Sequence, residues 1–444
     1  MLGYYLELAI RGLRRNVMLT VLTIAAVGAG IGASMAMLTT LRAMSGDPIP
    51  EKSAQLFVPL IDVWGPQSRQ GNSNSDWLPQ TFTYRDAVAL TKAHKGTHQA
   101  AMFRMNMDVS PPTGTPFQAS GRATYADFFA MFDVPFSDGA AWGQHEDDGH
   151  QNVVVLGAKL AQRLFPDTEP LGRTVSLNAR DYRVVGVVRP WTPSPRFYDL
   201  FSARRSSYGD SEDFFIPFSN AIDRQLRVQG ATNCNGPPPP GWEARLNSEC
   251  VWLQFWVELP TAAQVRSFRT YLEGYAAEQR ESGRFHWPPL VRLYDVMGWI
   301  EHSQVLPESV RVNVVIAAGF LTVCLVNSVG LMLAKLSGRA GELGLRRALG
   351  ASRSDVFLQC LTDAMVIGVL GGVLGLGLTV TGLWGLRLLR GVDGQSGAAV
   401  RLYSLDWSMV VITLLAAVAA TVACAVYPAL RATRVQPAWQ LKAQ

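Results

Sequence analysis

The side chains that could bind a metal ion lie between residues 94 and 150. His94 and His98 have the i, i+4 spacing that would place two imidazoles on one face of a helix. However, Gly96 lies between them, and the glutamate of an H-E-x-x-H zinc motif is missing. The run 145–150 (HEDDGH) also offers imidazole and carboxylate ligands. A solvated acidic loop is the commoner origin of such a run, so we expect no metal and no cofactor on this chain.

Motifs for phosphate binding and for nucleophilic catalysis are absent from the sequence. There is no G-x-x-x-x-G-K-[ST] run that could form a phosphate-binding loop for ATP. There is also no G-x-S-x-G run that could present a catalytic serine. The chain is therefore expected not to be an enzyme.

The basic segment 335–359 has the residue types of a protein contact. Within it, residues 339–349 favour a short helix, in which Glu342 can pair with Arg346 four positions later. One face of that helix is apolar and consists of Leu345, Ala348 and Leu349.

Stop and start signals follow this short helix. Gly350 suits the position after a helix C-terminus, and Ser352 with Asp355 forms a capping box for the next helix. An ordinary basic loop would explain the charges but neither the apolar face nor these signals. We therefore interpret residues 339–349 as an amphipathic helix held between two longer elements.

Four long apolar runs must position that helix. The runs without a formal charge have 26, 23, 23 and 24 residues. At about 1.5 Å per residue, each can cross a hydrocarbon core of roughly 30 Å, whereas buried helices of soluble proteins usually give runs of about 10–14 residues. The first run also exceeds the roughly 7–15 apolar residues of a signal peptide. We assign membrane spans to residues 17–41, 312–334, 356–386 and 407–430.

Lys and Arg beside the spans indicate the orientation of the chain. Residues 1–16, 335–355 and 431–444 together carry eleven basic and three acidic side chains, although the whole chain has a net charge of only +5. These segments, with both termini, are therefore expected in the cytoplasm. Residues 42–311 and the short loop 387–406 are expected outside. The basic excess reflects contact with the membrane and gives no argument for nucleic acid as a partner.

Small residues in the spans and two cysteines outside them have expected structural roles. Glycines at helical spacing permit close packing of helices in a membrane. The expected packing positions are Gly28, Gly32, Gly368, Gly371, Gly372 and Gly375, with Gly377 in the same run. Outside the cytoplasm thiols oxidise, so we expect Cys234 and Cys250 to form a disulfide. The cysteines in or beside the spans are expected to be buried and free: Cys324, Cys360 and Cys424.

The predicted fold class is an integral membrane α-helical protein with four transmembrane helices and a large α+β domain inserted between helices 1 and 2. Apolar and alternating runs in that domain predict strands at 153–156, 172–177, 182–188, 214–216 and 252–259. Helices are predicted at 158–165 and 262–279. The proline-rich stretch 227–249 is predicted to be a surface loop.

The segment 327–351 (NSVGLMLAKLSGRAGELGLRRALGA) resembles the signature of the MacB/FtsX-like ABC transporter permeases, whose usual form is N…R-x-x-E-[IL]-G-[IL]-R-R-A-L-G-A. Asp363, followed by the glycines of the third span, is similar to that family's acidic, glycine-rich helix, with Asp where Glu is more usual. Runs within 153–188 resemble the family's external core domain, and 427–437 resembles its closing segment.

This resemblance implies a periplasmic core domain with a porter-like part and an inserted subdomain at about residues 119–250. It implies a dimer with a second copy or a paralogue in the bacterial inner membrane. It also implies that 339–349 is a coupling helix that docks on an ABC nucleotide-binding subunit, which would hold ATP and Mg²⁺. The coupling residues would be Arg339, Glu342, Leu343, Leu345, Arg346, Arg347, Ala348, Leu349 and Gly350.

The expected function is mechanotransmission, in which ATP hydrolysis on a partner drives movement of the external domain. In MacB the ATPase precedes the first span, and since only about 16 residues do so here, a separate ATPase chain is expected. Export of a drug, peptide or lipid-linked substrate is the leading reading, with a periplasmic adaptor and an outer-membrane channel as further partners. Two alternatives are an FtsX-like regulator that activates an envelope hydrolase, and a membrane-anchored sensor without an ATPase.

Overall fold

The computed structural model describes residues 7–8, 16–65, 78–111, 114–200, 207–209, 211–305, 308–389 and 407–433. The chain forms two compact units. The helical unit comprises Met1–Ser45 and Pro307–Gln444, and the inter-span domain comprises Gly46–Leu306. The predicted segments 1–16, 387–406 and 431–444 lie for the most part outside the described residues.

The helices of the described residues are α1 (Val17–Ser45), α2 (Tyr84–Ala93), α3 (Asp127–Met131), α4 (Gln144–Asp148), α5 (Ala158–Leu164), α6 (Phe218–Asp223), α7 (Trp242–Leu246), α8 (Ala262–Glu281), α9 (Val296–His302), α10 (Glu308–Ser337), α11 (Ala340–Ala348), α12 (Arg353–Leu389) and α13 (Trp407–Thr433). The strands are β1 (Leu56–Ile61), β2 (Gln99–Ser110), β3 (Phe117–Thr124), β4 (Phe136–Gly139), β5 (Val153–Gly157), β6 (Thr174–Leu177), β7 (Arg180–Val188), β8 (Phe214–Pro217), β9 (Gln254–Glu258) and β10 (Val291–Asp295).

Four helices of the helical unit are long and apolar enough to cross a membrane. They are α1, α10, α12 and α13, and each exceeds the roughly 20 residues that a span requires. A helix satisfies its own backbone hydrogen bonds, which is why apolar runs of this length are helical in lipid. Interhelical hydrogen bonds connect these spans: Ser34 Oγ donates to the Ala317 carbonyl at 3.1 Å, and Thr379 Oγ1 donates to the Gly32 carbonyl at 3.2 Å.

The inter-span domain is built on one mixed sheet of strand order β10-β1-β9-β2-β3-β8-β5-β7-β4. Strand β6 pairs with both β2 and β7. Strands β2, β3, β8, β5, β7 and β6 therefore form a closed circuit of hydrogen-bonded neighbours, whereas β9, β1 and β10 continue the sheet from the first half of β2. The four spans with a mixed domain between the first and second are the predicted fold class, which is thus confirmed.

Two apolar cores lie on opposite sides of this sheet, because successive side chains of a strand point to opposite faces. In β2, Phe103 and Met105 belong to one core, which α2 and α8 cover with residues such as Leu90 and Phe268. Met102 belongs to the other core. That second core is rich in aromatic side chains, among them Phe128, Phe129, Phe132, Phe197, Tyr198, Trp256 and Trp299.

Several boundaries differ from those predicted from sequence. Strand β7 begins at Arg180, because Asn178 and Ala179 adopt positive φ angles of 48° and 57° and form a two-residue hairpin turn after β6. The prediction of a loop over residues 227–249 is wrong for Trp242–Leu246, which form the short helix α7. Strands β1, β2, β3, β4 and β10 were not predicted.

Candidate functional site

Helix α11 lies between the spans α10 and α12 and occupies the predicted coupling segment. Arg339 precedes its first residue and Leu349 follows its last. Glu342 Oε1 and Arg346 Nη2 form the i, i+4 ion pair at 3.2 Å. The side chain of Leu343 lies outside the described part of the chain.

The N-terminal end of α11 is fixed to the span α12. Arg339 Nη1 donates to Asp363 Oδ2 at 3.1 Å, and both side chains are largely buried. A charge pair that is shielded from water is screened much less than an exposed pair. Asp363 therefore connects α12 to the residue that precedes α11.

The C-terminal end of α11 is a Schellman motif. The Gly350 N–H donates to the Arg347 carbonyl and the Ala351 N–H to the Arg346 carbonyl, at 3.2 and 3.0 Å. Gly350 has a φ angle of +103°, a backbone conformation that residues other than glycine rarely adopt. The Ser352 N–H donates to Asp355 Oδ2 and the Asp355 N–H to Ser352 Oγ, so α12 begins with a reciprocal cap.

Further contacts connect α11 to the spans α12 and α13, and sequence reasoning missed them. Arg346 Nη1 donates to Gln359 Oε1 of α12 at 3.4 Å. Arg347 Nη1 donates to the Thr433 carbonyl at the end of α13 at 2.9 Å, where an arginine also complements the helix dipole. A contact between residues 86 positions apart leaves no local pattern, so only the basic character of Arg347 could have indicated it.

The apolar face of α11 is exposed in this chain. Leu345 is 60% exposed and Leu349 80% exposed, and Ala348 between them is also exposed. Gly344, one helical turn before Ala348, is buried. The helix thus combines a fixed base, made by arginine contacts to α12 and α13, with an uncovered apolar surface suited to another protein.

Glycines bring the spans above this site into close contact. A Cβ at Gly28 or Gly32 would approach α12 to 2.9 Å, and one at Gly371 or Gly375 would approach α1 to 2.8–3.0 Å. A Cβ at Gly368 would lie 2.2 Å from Thr421 Oγ1 of α13. A Cβ at Gly372 would lie 3.0 Å from the Ala417 Cβ of the same helix, α13.

The prediction that Gly377 packs against another helix, like the other glycines of α12, is wrong. Among the described residues, nothing lies within 4 Å of a Cβ built at Gly377. Helical spacing explains the difference, because Gly377 lies five positions after Gly372 and two after Gly375, so it falls on another face of α12.

The sulfur and histidine candidates are also located in the structure. Cys234 and Cys250 form a disulfide next to the isolated antiparallel β-bridge between Asn233 and Val251. Cys324 and Cys360 are buried and free, whereas Cys424 is free but only partly buried, so the prediction that it is buried is wrong. His94 ends α2, whereas His98 contacts Glu258, so the two imidazoles do not share a helix face. Among the described residues, no three His, Cys, Asp or Glu side chains are placed so that they could hold one metal ion.

Comparison with known proteins agrees with this architecture. The family described as the MacB-like periplasmic core domain matches residues 20–275, and the FtsX-like permease C-terminal region matches residues 314–437. The macrolide export ATP-binding/permease protein MacB of Rhodopirellula baltica is 24% identical over 97% of this chain and 60% of its own length. MacB of Escherichia coli strain K12 is 25% identical over 86% of this chain and 53% of its own.

The chain thus spans little more than half the length of these curated relatives. Among solved structures, the periplasmic region of MacB from Actinobacillus actinomycetemcomitans aligns with 59% of this chain and 96% of its own, at 15% identity and a TM-score of 0.35. The family matches cover most of the inter-span domain and the last three spans. The chain belongs to the MacB/FtsX-like family of ABC transporter permeases.

Proposed function

We propose that this chain is the transmembrane subunit of a MacB-type ABC system, in which an ABC ATPase drives movement of the inter-span domain. The observation that carries the proposal is the exposed Leu345/Ala348/Leu349 face of α11, whose helix is fixed to α12 and α13. Apolar surface of this kind is characteristic of a protein contact. The names of the relatives combine ATP binding with permease function, which supports an ATPase partner here.

The proposed orientation follows from charge beside the spans. Both termini and α11 lie in the cytoplasm, and the inter-span domain lies in the periplasm. A dimer of this chain with a copy or a paralogue would place two α11 helices on the two ATPase subunits. ATP-driven closure of those subunits would press on α11 and, through Arg339 and Asp363, displace α12.

Export is the proposed consequence of that movement. The substrate would be handled by the periplasmic domain and passed outward, with a periplasmic adaptor and an outer-membrane channel as further partners. The relatives' names refer to macrolide export, which supports export rather than control of a hydrolase.

The deciding experiment changes the apolar face of α11. Leu345→Asp should bury an unpaired charge in the ATPase contact, at a cost of about 3 kcal/mol or more. That corresponds to about a 100-fold loss of affinity. Pull-down of the ATPase and substrate-independent ATP turnover in detergent measure the loss, and the yield of membrane-inserted protein should not change. Arg346→Ala should have a smaller effect, because an exposed pair is worth only about 0–1 kcal/mol.

Ser354→Asp is the matched control for this experiment. It adds the same charge at an exposed position in the first turn of α12, where the helix dipole favours an acid. It should retain both ATPase binding and turnover. If Leu345→Asp also retains both at the wild-type level, α11 does not contact the ATPase and the proposal fails.

A further inference from the structure

A large open cavity lies within the inter-span domain, remote in sequence from α11. Its volume is about 530 Å³, within the range of roughly 300–1,000 Å³ that is usual for small-molecule sites. Helix α2 forms one side, helices α4 and α6 form the other, and the first residue of β2, Gln99, lies between them. The cavity is thus framed by regular elements on both sides rather than by loops alone.

Aromatic rings form part of the cavity wall. Phe218 of α6 stacks with two tyrosines, with ring centroids 5.1 Å from Tyr125 and 6.4 Å from Tyr84 and interplanar angles of 21° and 10°. Phe218 is buried, whereas both tyrosines are partly exposed. A stack of this kind offers ring faces and edges to a flat ligand, and aromatic faces attract cations.

Carboxylates dominate the charge of the cavity. Its lining contains four aspartates, one lysine and two histidines: Asp127, Asp147, Asp148, Asp223, Lys92, His94 and His150. Asp148 and Asp223 are exposed at the cavity wall, and Asp223 Oδ2 is in hydrogen-bond contact with His150 Nδ1. Asp147 is buried and accepts hydrogen bonds from the Ala126 N–H and from Trp142 Nε1, both at 2.8 Å.

Burial, and to a smaller extent the neighbouring carboxylates, raise the pKa of titrating groups in the lining. Burial raises the pKa of Asp147 to about 7, and the neighbouring carboxylates Asp127 and Asp148 contribute in the same direction. Burial also raises the pKa of Tyr84 and Tyr125, and nearby aspartates add to both increases. The phenols are therefore neutral, and the cavity as a whole favours positive charge.

We propose that this cavity is a binding site for small organic cations that carry a flat aromatic or apolar group. The Tyr84/Phe218/Tyr125 stack would contact the apolar group, and Asp148 and Asp223 would face the positive charge. Close opposite charges in a partly enclosed site attract more strongly than in bulk water. The site is independent of α11 and does not require the ATPase-coupling role to be correct.

The test uses the full-length chain in lipid nanodiscs and ethidium, an aromatic cation whose fluorescence increases on confinement. Empty nanodiscs provide the background, and anilinonaphthalene sulfonate serves as an aromatic anion of similar size. We expect saturable ethidium binding and markedly weaker binding of the anion. Because exposed charges are screened by salt, ethidium affinity should also fall as ionic strength rises.

Two variants test the cavity by different means. The double change Asp148→Asn with Asp223→Asn removes exposed charge and should weaken ethidium binding by about tenfold or more. Val88→Trp, on the α2 side of the cavity, should block the site without changing its charge. The Asn changes lie at exposed positions, so they keep the test valid if Val88→Trp does not fold.

The matched control is Asp167→Asn with Glu169→Gln, which removes two exposed carboxylates from the loop after α5. This control should leave ethidium affinity within about twofold of the wild type. Equal binding by the wild type and both cavity variants would overturn the proposal, as would equal loss in the control pair. Binding of the anion as tightly as ethidium would overturn it too.

Discussion

At the scale of single residues, the inter-span domain contains a buried group of charged side chains around Arg122. Arg122 of β3 is fully buried, and its Nη2 lies 2.5 Å from both Asp199 and Glu212. Its Nη1 donates to Gln254 Oε1 at 2.9 Å, and Arg196 lies within 4 Å of both acids. The group contains two arginines and two carboxylates, so its formal charges balance.

Removing one member of this group should be costly. Arg122→Met would leave two buried carboxylates with one arginine, and breaking a buried pair typically costs about 3–5 kcal/mol. Thermal unfolding in detergent, followed by tryptophan fluorescence, measures the loss. Arg180→Met, at an exposed position of β7, is the control and should change stability by less than about 0.5 kcal/mol.

The same variant should respond differently to pH. In the wild type, burial raises the pKa of Glu212, but Arg122 and Arg196 outweigh it, so that pKa lies below its ordinary value. The stability that ionised Glu212 contributes is therefore present above the pKa of Glu212 in the unfolded chain and is lost as pH falls through its lower folded pKa. In Arg122→Met the carboxyl pKa values should instead be raised, so that stability is lost as pH rises. The deficit of the variant should therefore be smaller at pH 5 than at pH 8, and an equal deficit at both would contradict this account.

At the scale of elements, the packing of α12 against α13 depends on Gly368. A Cβ at this position would lie 2.2 Å from Thr421 Oγ1 and 3.0 Å from the backbone Cα of Val418. The Thr421 hydroxyl already donates to the Ala417 carbonyl at 2.8 Å, so its rotation would break a hydrogen bond. Gly368→Ala should therefore separate the helices, at a cost of about 1–3 kcal/mol.

Gly377→Ala is the control in the same helix, because its Cβ would meet nothing within 4 Å among the described residues. The melting temperature in detergent should fall for Gly368→Ala and remain near the wild-type value for Gly377→Ala. Equal melting temperatures for the two variants would show that the glycine face of α12 does not set the packing.

Elements with local signals could be predicted from the sequence, and elements stabilised by distant pairing could not. The spans and α11 have length, apolar periodicity and caps within a few residues, so the predicted helix 339–349 differs from α11 by one residue at each end. Strand β2 contains Gln99, Asn106 and several methionines rather than a β-branched run, and its partners β9 and β3 stabilise it. The Arg122 group was missed for the same reason, since Asp199, Glu212 and Gln254 lie 77–132 positions after Arg122.

At the scale of the whole molecule, the topology is directly testable. An alkaline phosphatase fusion after residue 200 should be active, because that enzyme folds only outside the cytoplasm. A green fluorescent protein fusion after residue 345 should fluoresce, since that position is proposed to lie in the cytoplasm beside basic residues. Exchanging the two reporters supplies the control and should abolish both signals. The reverse pattern would contradict the four-span orientation.

The continuous strand β2 determines how the inter-span domain can deform. Its residues Gln99–Met102 pair with β9, and residues Phe103–Val109 pair with β3, without an intervening loop. At about 3.3 Å per residue, this strand of 12 residues measures roughly 40 Å. Bending β2 would distort its hydrogen-bond ladders with β9 and β3, so the pairing opposes bending of the strand. A displacement of β9 at one end of β2 should therefore also move the strands β3 and β6 that pair towards its other end.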